Sequence, residues 1–98
     1  MPPTSKELID MPGIIDSLSR RERDSLPEAV KLEELFSYHA PTPEDIAKYE
    51  ALRTATKGLV REILTVCQPS ADRSAAIRLI REGLMTANAS IALKGLSL

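Results

Sequence analysis

The sequence predicts an all-α protein built around a long antiparallel αα-hairpin, on three observations. Among 98 residues there are one Phe, two Tyr, no Trp and only 4 Gly, so the aromatic residues that favour strands are nearly missing. Apolar residues recur at alternating spacings of three and four along two stretches of the second half of the chain. A capping threonine, Thr42, precedes the first stretch, and Pro69 follows its end.

Residues 1–36 are predicted to form an N-terminal arm of short helices, separate from a hairpin domain over residues 37–98. Thr4-Ser5-Lys6-Glu7 has the spacing of a capping box, which begins a short helix that Pro12-Gly13 ends. A second short apolar turn is expected to follow, made by Ile14, Ile15 and Leu18.

The rest of the arm is a charged run followed by a further predicted helix. The run from Ser19 to Asp24 indicates a solvated face or a linker. Ser25-Leu26-Pro27-Glu28 has the spacing of a second capping box with proline in the first turn, so a helix is predicted from there to about Phe36. Because Pro41 disfavours helix at the residue before it, a loop is expected ahead of the hairpin.

The first long helix has the clearest start signal in the chain. In Thr42-Pro43-Glu44-Asp45, threonine caps, proline occupies the first helical position, and two acids face the positive end of the helix dipole. The helix should run to about Cys67, since Pro69 cannot continue it. Its apolar seam has spacings of three and four and consists of Tyr49, Leu52, Thr56, Leu59, Ile63 and Val66.

The second long helix is predicted to begin with Ser70 or Ser74 as its cap and to end near Lys94-Gly95. Each long helix has about 24 residues and hence a length of about 36 Å. The short turn between them makes the two helices antiparallel. The seam of the second helix consists of Ile77, Ile80, Leu84, Ala87 and Ile91.

The two long helices carry more apolar residues than one shared seam can bury. Surplus apolar surface on a two-helix unit favours self-association, with the N-terminal arm adding to it. We therefore expect a homo-oligomer. The residues outside the seam are Ile46, Val60, Leu64 and Cys67 on the first helix and Leu79, Met85 and Leu93 on the second.

Charge and composition exclude several classes of protein. The net charge is −1, with −3 over residues 1–40 and +4 after Glu50, which is too weakly basic for a duplex nucleic acid binder. The longest apolar runs are three residues, so neither a membrane span nor a signal peptide is expected, and a cytosolic protein follows. One cysteine and one histidine exclude an intrachain disulfide and a Cys/His zinc site.

Catalysis has little support in the sequence. No nucleophile and base stand at a recognisable spacing, and there is no glycine-rich phosphate loop. We therefore expect a protein that is not an enzyme and has no cofactor, metal ion or catalytic residue. Cys67 is expected to be a small buried apolar residue.

A line of cations on the first long helix is the best candidate for ligand binding. Arg53, Lys57 and Arg61 follow Tyr49 at intervals of four residues and therefore drift by about 40° per step around the helix. A base can stack on tyrosine, and a guanidinium can bind a phosphate through two hydrogen bonds. The alternative is that Lys57 and Arg61 are merely solvated and Arg53 pairs with an acid across a subunit contact.

Three further polar or aromatic residues draw attention. Asn88 lies on the apolar stripe of the second long helix, where it is expected to fix the register of an interface. His39 is a lone loop histidine with no functional partner in the sequence. Tyr38 lies in the loop ahead of the capped helix, where it could either stack on a flat ligand or fill the junction between the arm and the hairpin.

Three segments, in order, resemble one known family. They are Tyr38-His39-Ala40-Pro41-Thr42-Pro43-Glu44-Asp45-Ile46 with Lys48-Tyr49-Glu50-Ala51-Leu52-Arg53, then the turn Cys67-Gln68-Pro69-Ser70, then Met85-Thr86-Ala87-Asn88-Ala89-Ser90-Ile91-Ala92. The family is the phage anti-CBASS cyclic-oligonucleotide sponge, which is related to the Thoeris anti-defence sponge. The resemblance covers about residues 37–94.

The resemblance implies a protein that sequesters bacterial immune second messengers in the cytoplasm of the infected host. Family members are homohexamers of interlocked hairpins that hold cyclic dinucleotides such as cyclic GMP-AMP between protomers, and some also hold cyclic trinucleotides. The matching ligand-binding positions here are Tyr38, Arg53, Lys57 and Lys94, with Ile91 as an apolar wall. Thr86 stands where the family usually has Trp, and Leu93 where it has Arg.

Two other functions remain open at this point. One is a structural helical oligomer or assembly adaptor that binds no small molecule. The other is a small regulator that binds nucleic acid through Arg53, Lys57 and Arg61, which the weak net charge and the acidic arm disfavour.

Overall fold

The computed structural model describes residues 14–98, and this part of the chain contains helices and no strand. A 3₁₀ turn over Ile14–Ser17 is followed by four α-helices: α1 (Arg20–Asp24), α2 (Glu28–Phe36), α3 (Pro43–Val66) and α4 (Ala71–Ala92). The predicted all-helical fold is confirmed. The capping box at Thr4 and its stop at Pro12-Gly13 lie outside the described residues.

The chain forms two compact units. One contains the described residues up to Ala40 together with Ser90–Leu98, and the other is Pro41–Ala89. In the first unit the buried apolar side chains are Ile15, Val30 and Leu96. The expected apolar turn around Ile15 therefore exists as the 3₁₀ turn, and its Ile15 is part of a small core.

The charged run at Ser19 forms a helix rather than a linker. Ser19 Oγ accepts a hydrogen bond from the Glu22 N–H, and Glu22 Oε1 accepts one from the Ser19 N–H, each at 3.2 Å. This is a complete capping box that begins α1. Arg23, the one residue of α1 that is not exposed, donates from Nη1 to the Leu18 carbonyl oxygen at 2.6 Å.

The predicted capping box at Ser25 is wrong, although the helix after it exists. Ser25 is the C-terminal cap of α1, and its Oγ donates to the Glu22 carbonyl oxygen at 3.0 Å. The hydroxyl is therefore bonded to the helix before it rather than to the helix after it. Pro27 is the N-cap of α2, which ends at Phe36 as predicted.

The start of α3 confirms the strongest local prediction. Thr42 Oγ1 accepts from the Asp45 N–H, and Asp45 Oδ2 accepts from the Thr42 N–H, each at 3.1 Å. Asp45 is buried, which reduces competition from water for these bonds. The helix ends at Val66, with Cys67 as its cap.

The boundaries of α4 also follow from local signals. Ser70 Oγ accepts from the Arg73 N–H at 3.0 Å, so Ser70 rather than Ser74 is the cap. At the other end Gly95 N–H bonds to Ser90 O at 3.0 Å and Lys94 N–H to Ile91 O at 3.3 Å. This pair of bonds is the Schellman motif, with Lys94 in the left-handed region at φ 54°.

The seam of the hairpin is shifted on α3. Tyr49, Leu52, Thr56 and Ile63 are half-buried as predicted, but Val60 is half-buried where Leu59 was expected. Leu59 is 51% exposed, and Val66 at the end of the helix is 67% exposed. A straight helix has 3.6 residues per turn, so a strict heptad seam drifts by about 20° per heptad, and the neighbouring position takes over. All five predicted seam residues of α4 are half-buried.

Candidate functional site

Tyr38 lies in the segment between α2 and α3 with its side chain directed to solvent. Ser37 before it has extended backbone, with φ −87° and ψ 153°. The tyrosine is 84% exposed, which fits a stacking surface and does not fit a plug in a junction. The other tyrosine, Tyr49, is half-buried on the hairpin seam. Of the two, Tyr38 is therefore the one that can offer a ring face to a flat ligand.

The basic ladder, defined as Arg53, Lys57 and Arg61, runs along the exposed side of α3. Each step of four residues advances about 6 Å along the helix axis, which is close to the spacing of successive phosphates in an oligonucleotide. Within residues 14–98 no ion pair and no side-chain hydrogen bond engages these three cations. Their charged groups are therefore available to an anion. Within residues 14–98, no acidic side chain forms an ion pair with Arg53.

Ile91 and Lys94 lie at the end of α4, in the same compact unit as Tyr38, whereas Arg53 and Lys57 belong to the other unit. Ile91 is half-buried on the helix, and Lys94 is half-buried in the Schellman turn. Lys94 thus has a backbone role at the helix end in addition to the binding role that the resemblance implies. These five assignments stay predictions.

His39 is more involved in the fold than its isolated position in the sequence indicated. Its side chain is only 9% exposed, and Nε2 lies 2.6 Å from the Glu34 carbonyl oxygen and 3.9 Å from Glu34 Oε2. The sequence separation could have predicted this contact. His39 follows Glu34 by five residues, and a side chain just after a helix can reach a carbonyl group of its last turn.

A cleft of about 430 Å³ lies at the turn between α3 and α4, and sequence reasoning missed it. Arg73 spans the turn and donates from Nη1 to the Cys67 carbonyl oxygen at 3.1 Å. Cys67 itself is exposed, not buried as expected, because it lies at the tip of the hairpin. The cleft is lined by Ile63, Cys67, Gln68, Pro69, Ser70, Asp72, Arg73 and Ala76.

Two negative findings apply to the described residues. Among residues 14–98 no three or more His, Cys, Asp or Glu side chains are grouped so that they could hold a metal ion. In the same range, every helix is too short or too polar to cross a bilayer.

The fold and the exposed side chains define a class: a small helical-hairpin protein that presents an aromatic ring and a row of exposed cations. A family model described as Acb2/Tad1, hairpin domain, matches residues 28–92, from the first residue of α2 to the last of α4. The chain belongs to this family, which confirms the resemblance to the anti-CBASS sponges. No curated protein and no solved structure matches the chain.

The family match includes α2. From the sequence, α2 was predicted to belong to the N-terminal arm, residues 1–36. The division into an arm over residues 1–36 and a binding domain over residues 37–98 stays a prediction. The residues before Glu28 lie outside the match.

Proposed function

We propose that the chain binds and sequesters cyclic dinucleotide second messengers of the cyclic GMP-AMP type and thereby blocks CBASS immunity. Membership of the Acb2/Tad1 hairpin family is the observation that carries this proposal. The protein would act during phage infection, in the cytoplasm of the bacterial host, by lowering the concentration of free messenger below the level that its effector needs.

The exposed side chains suit the chemistry of such a ligand. A cyclic dinucleotide has two phosphodiester groups and two flat bases, so it needs cations and a stacking surface. Arg53 and Lys57 supply the cations, and Arg53 can bind two phosphate oxygens at once. Tyr38 supplies the stacking surface, Ile91 an apolar wall and Lys94 a further cation. Binding alone blocks the signal, so we propose a protein without catalytic activity.

Self-association completes the proposal. Neither α3 nor α4 contains a fully buried apolar residue, and the buried residue of α3 is Asp45. The large exposed apolar side chains of the two helices include Ile46, Leu64, Leu79 and Met85. Apolar surface of this extent on a small unit supports burial against other copies of the chain. We propose a homohexamer, with cyclic nucleotides held in pockets between copies and cyclic trinucleotides in a second kind of pocket.

A ligand panel tests the proposal. Purified protein is titrated by calorimetry with cyclic GMP-AMP, other cyclic dinucleotides, a cyclic trinucleotide, and linear GpA as the matched control. We expect tight binding of the cyclic compounds and a ligand-dependent rise in melting temperature. The bound compound is then released by heat and analysed by mass spectrometry. Intact ligand supports sequestration, and a hydrolysed product would show that the protein is an enzyme.

The exposed apolar faces favour one other candidate function, a structural helical oligomer without a small ligand. An oligomer that shows no heat of binding with any member of the panel would support this alternative. Binding of duplex or single-stranded nucleic acid with a steep salt dependence would instead support a small regulator that binds nucleic acid.

A further inference from the structure

The end of α2 is closed by two side chains that flank Tyr38. Ser37 Oγ donates to the Glu33 carbonyl oxygen at 2.6 Å, and His39 Nε2 lies 2.6 Å from the Glu34 carbonyl oxygen. The last carbonyl groups of a helix have no partner within the helix, so the Ser37 bond satisfies a group that would otherwise need water, and the His39 bond adds a side-chain donor at the Glu34 carbonyl oxygen. The Ser37 N–H also bonds to Glu34 O, at 3.4 Å.

The direction of hydrogen bonding at His39 follows from its partner. A carbonyl oxygen can only accept, so Nε2 carries the proton and donates it. The side chain is 9% exposed, and Nδ1 is buried without a hydrogen-bond partner among the described residues. The Glu34 carboxylate lies 3.9 Å from Nε2 and is itself buried, which favours the same orientation of the ring. The imidazole is therefore held by Glu34 through one nitrogen.

The side chain of Tyr38 faces away from those of its two neighbours. Successive side chains along extended backbone point to opposite sides, and Ser37 has extended backbone at φ −87° and ψ 153°. Ser37 and His39 point back to α2, whereas Tyr38 is 84% exposed. The two bonds to α2 thus fix the backbone on both sides of the tyrosine.

We propose that Ser37 and His39 are positioning residues for the binding of cyclic nucleotides, because they hold Tyr38 in its outward orientation. We call this pair the loop anchor. It acts through Tyr38 and does not itself touch the ligand. The inference rests on the proposed function, since it assigns a role within the same site. An aromatic ring that is held in place before binding loses less conformational entropy when it stacks.

The test separates the hydrogen bond from the volume of the imidazole. His39→Gln keeps an N–H near the position of Nε2, whereas His39→Phe keeps an aromatic ring without a donor. Ser37→Ala removes the second bond, and Ser25→Ala is its matched control, since Ser25 makes the same kind of hydroxyl-to-carbonyl bond away from the site. The chain has no Trp, so each variant is also made with Tyr38→Trp, which provides a single fluorescent reporter.

The first readout needs no ligand. In the Tyr38→Trp background, His39→Phe is expected to lower the steady-state anisotropy of the tryptophan and to increase its local motion, while His39→Gln retains the parent value. The second readout is calorimetry with cyclic GMP-AMP on chains that keep Tyr38. We expect about tenfold weaker binding for His39→Phe, about threefold for Ser37→Ala, and less than twofold for His39→Gln and Ser25→Ala.

Each failure has its own meaning. Unchanged anisotropy in both His39→Phe and Ser37→Ala overturns the loop anchor. Lower anisotropy with unchanged affinity overturns its role in binding. If the parent protein binds no cyclic nucleotide, the proposed function fails, and the anisotropy alone then decides whether the anchor exists. Circular dichroism identifies any variant that unfolds, and Ser37→Ala then replaces His39→Phe as the deciding variant.

Discussion

The cations of the basic ladder differ in their position along α3, although all three are exposed. Arg53 lies nearest to the N-terminus of the helix, and Arg61 lies two turns further on. Guanidinium and ammonium groups without a partner in residues 14–98 contribute little to the stability of a single chain, since exposed charges interact weakly through water. Their replacement should therefore affect ligand binding more than folding.

We expect Arg53→Ala to weaken binding of cyclic dinucleotides by about tenfold or more, and to leave the oligomer and its melting temperature unchanged. A hydrogen bond between charged groups contributes roughly 1.5–3 kcal/mol, and 1.4 kcal/mol corresponds to a factor of ten in affinity. Calorimetry measures the effect, with Arg78→Ala, an exposed arginine of α4, as the control. Unchanged affinity would mean that Arg53 has no phosphate contact, and loss of the oligomer would support an ion pair between subunits.

Tyr38 should act through its ring rather than its hydroxyl. Stacking contributes about 1–3 kcal/mol per base on alanine substitution, so Tyr38→Ala is expected to weaken binding at least fivefold and Tyr38→Phe only slightly. Because the side chain is exposed, neither change should lower the melting temperature of the ligand-free protein. Equal affinities for the alanine and phenylalanine variants would rule out stacking.

At the level of the helix, the turn that ends α4 holds Lys94 in the left-handed backbone conformation, which glycine adopts more readily than other residues. Lys94 has φ 54° at the position of the Schellman motif where glycine is the usual residue, and an L-residue there is disfavoured by about 1 kcal/mol. A lysine at this position fits the proposed use of its ammonium group for binding, since glycine would stabilise the turn but provide no cation.

Two substitutions separate the backbone of Lys94 from its side chain. Lys94→Gly and Lys94→Ala both remove the ammonium group, but only glycine relieves the positive φ. We expect the glycine variant to be more stable than the alanine variant by about 1 kcal/mol, measured by urea unfolding. If the two variants unfold at the same urea concentration, residue 94 is not strained. Both should bind ligand more weakly than the parent protein if the ammonium group contacts it.

For the whole molecule, we expect the exposed apolar side chains of α3 and α4 to mediate the proposed self-association. A charge placed on a surface that is buried between copies would lose its hydration, whereas the same charge on a free surface costs little. We expect Leu79→Glu to dissociate the oligomer at micromolar concentration, as measured by light scattering. Arg78→Glu, at the neighbouring exposed position, is the control and should leave the mass unchanged.

Ligand binding should be lost together with assembly if the pockets lie between copies. The dissociated Leu79→Glu protein is therefore expected to show no heat of binding with cyclic GMP-AMP, while its helicity is retained. A parent protein that is already a monomer at micromolar concentration would contradict both the homohexamer and pockets formed between copies.

Local interactions account for what the sequence alone determined. The cap at Thr42 and the stop imposed by Pro69 depend on residues within one turn of a helix end, so they form in any context. The seam of α4 was also correctly predicted, because helical periodicity determines which side of a helix faces a neighbour.

The tertiary structure decided those features in which a side chain could bond to, or pack against, more than one partner. Ser25 could cap α2 or close α1, and its hydroxyl bonds to the nearer carbonyl oxygen of α1. Val60 replaces Leu59 on the seam because a straight helix drifts from the heptad repeat, and the partner helix determines at which residue the neighbouring position takes over. The spacing of five residues lets His39 reach Glu34, but only the folded segment determines that the ring is buried with its Nε2 at the Glu34 carbonyl oxygen. In each case the sequence offers several chemically equivalent partners, and the folded structure selects one of them.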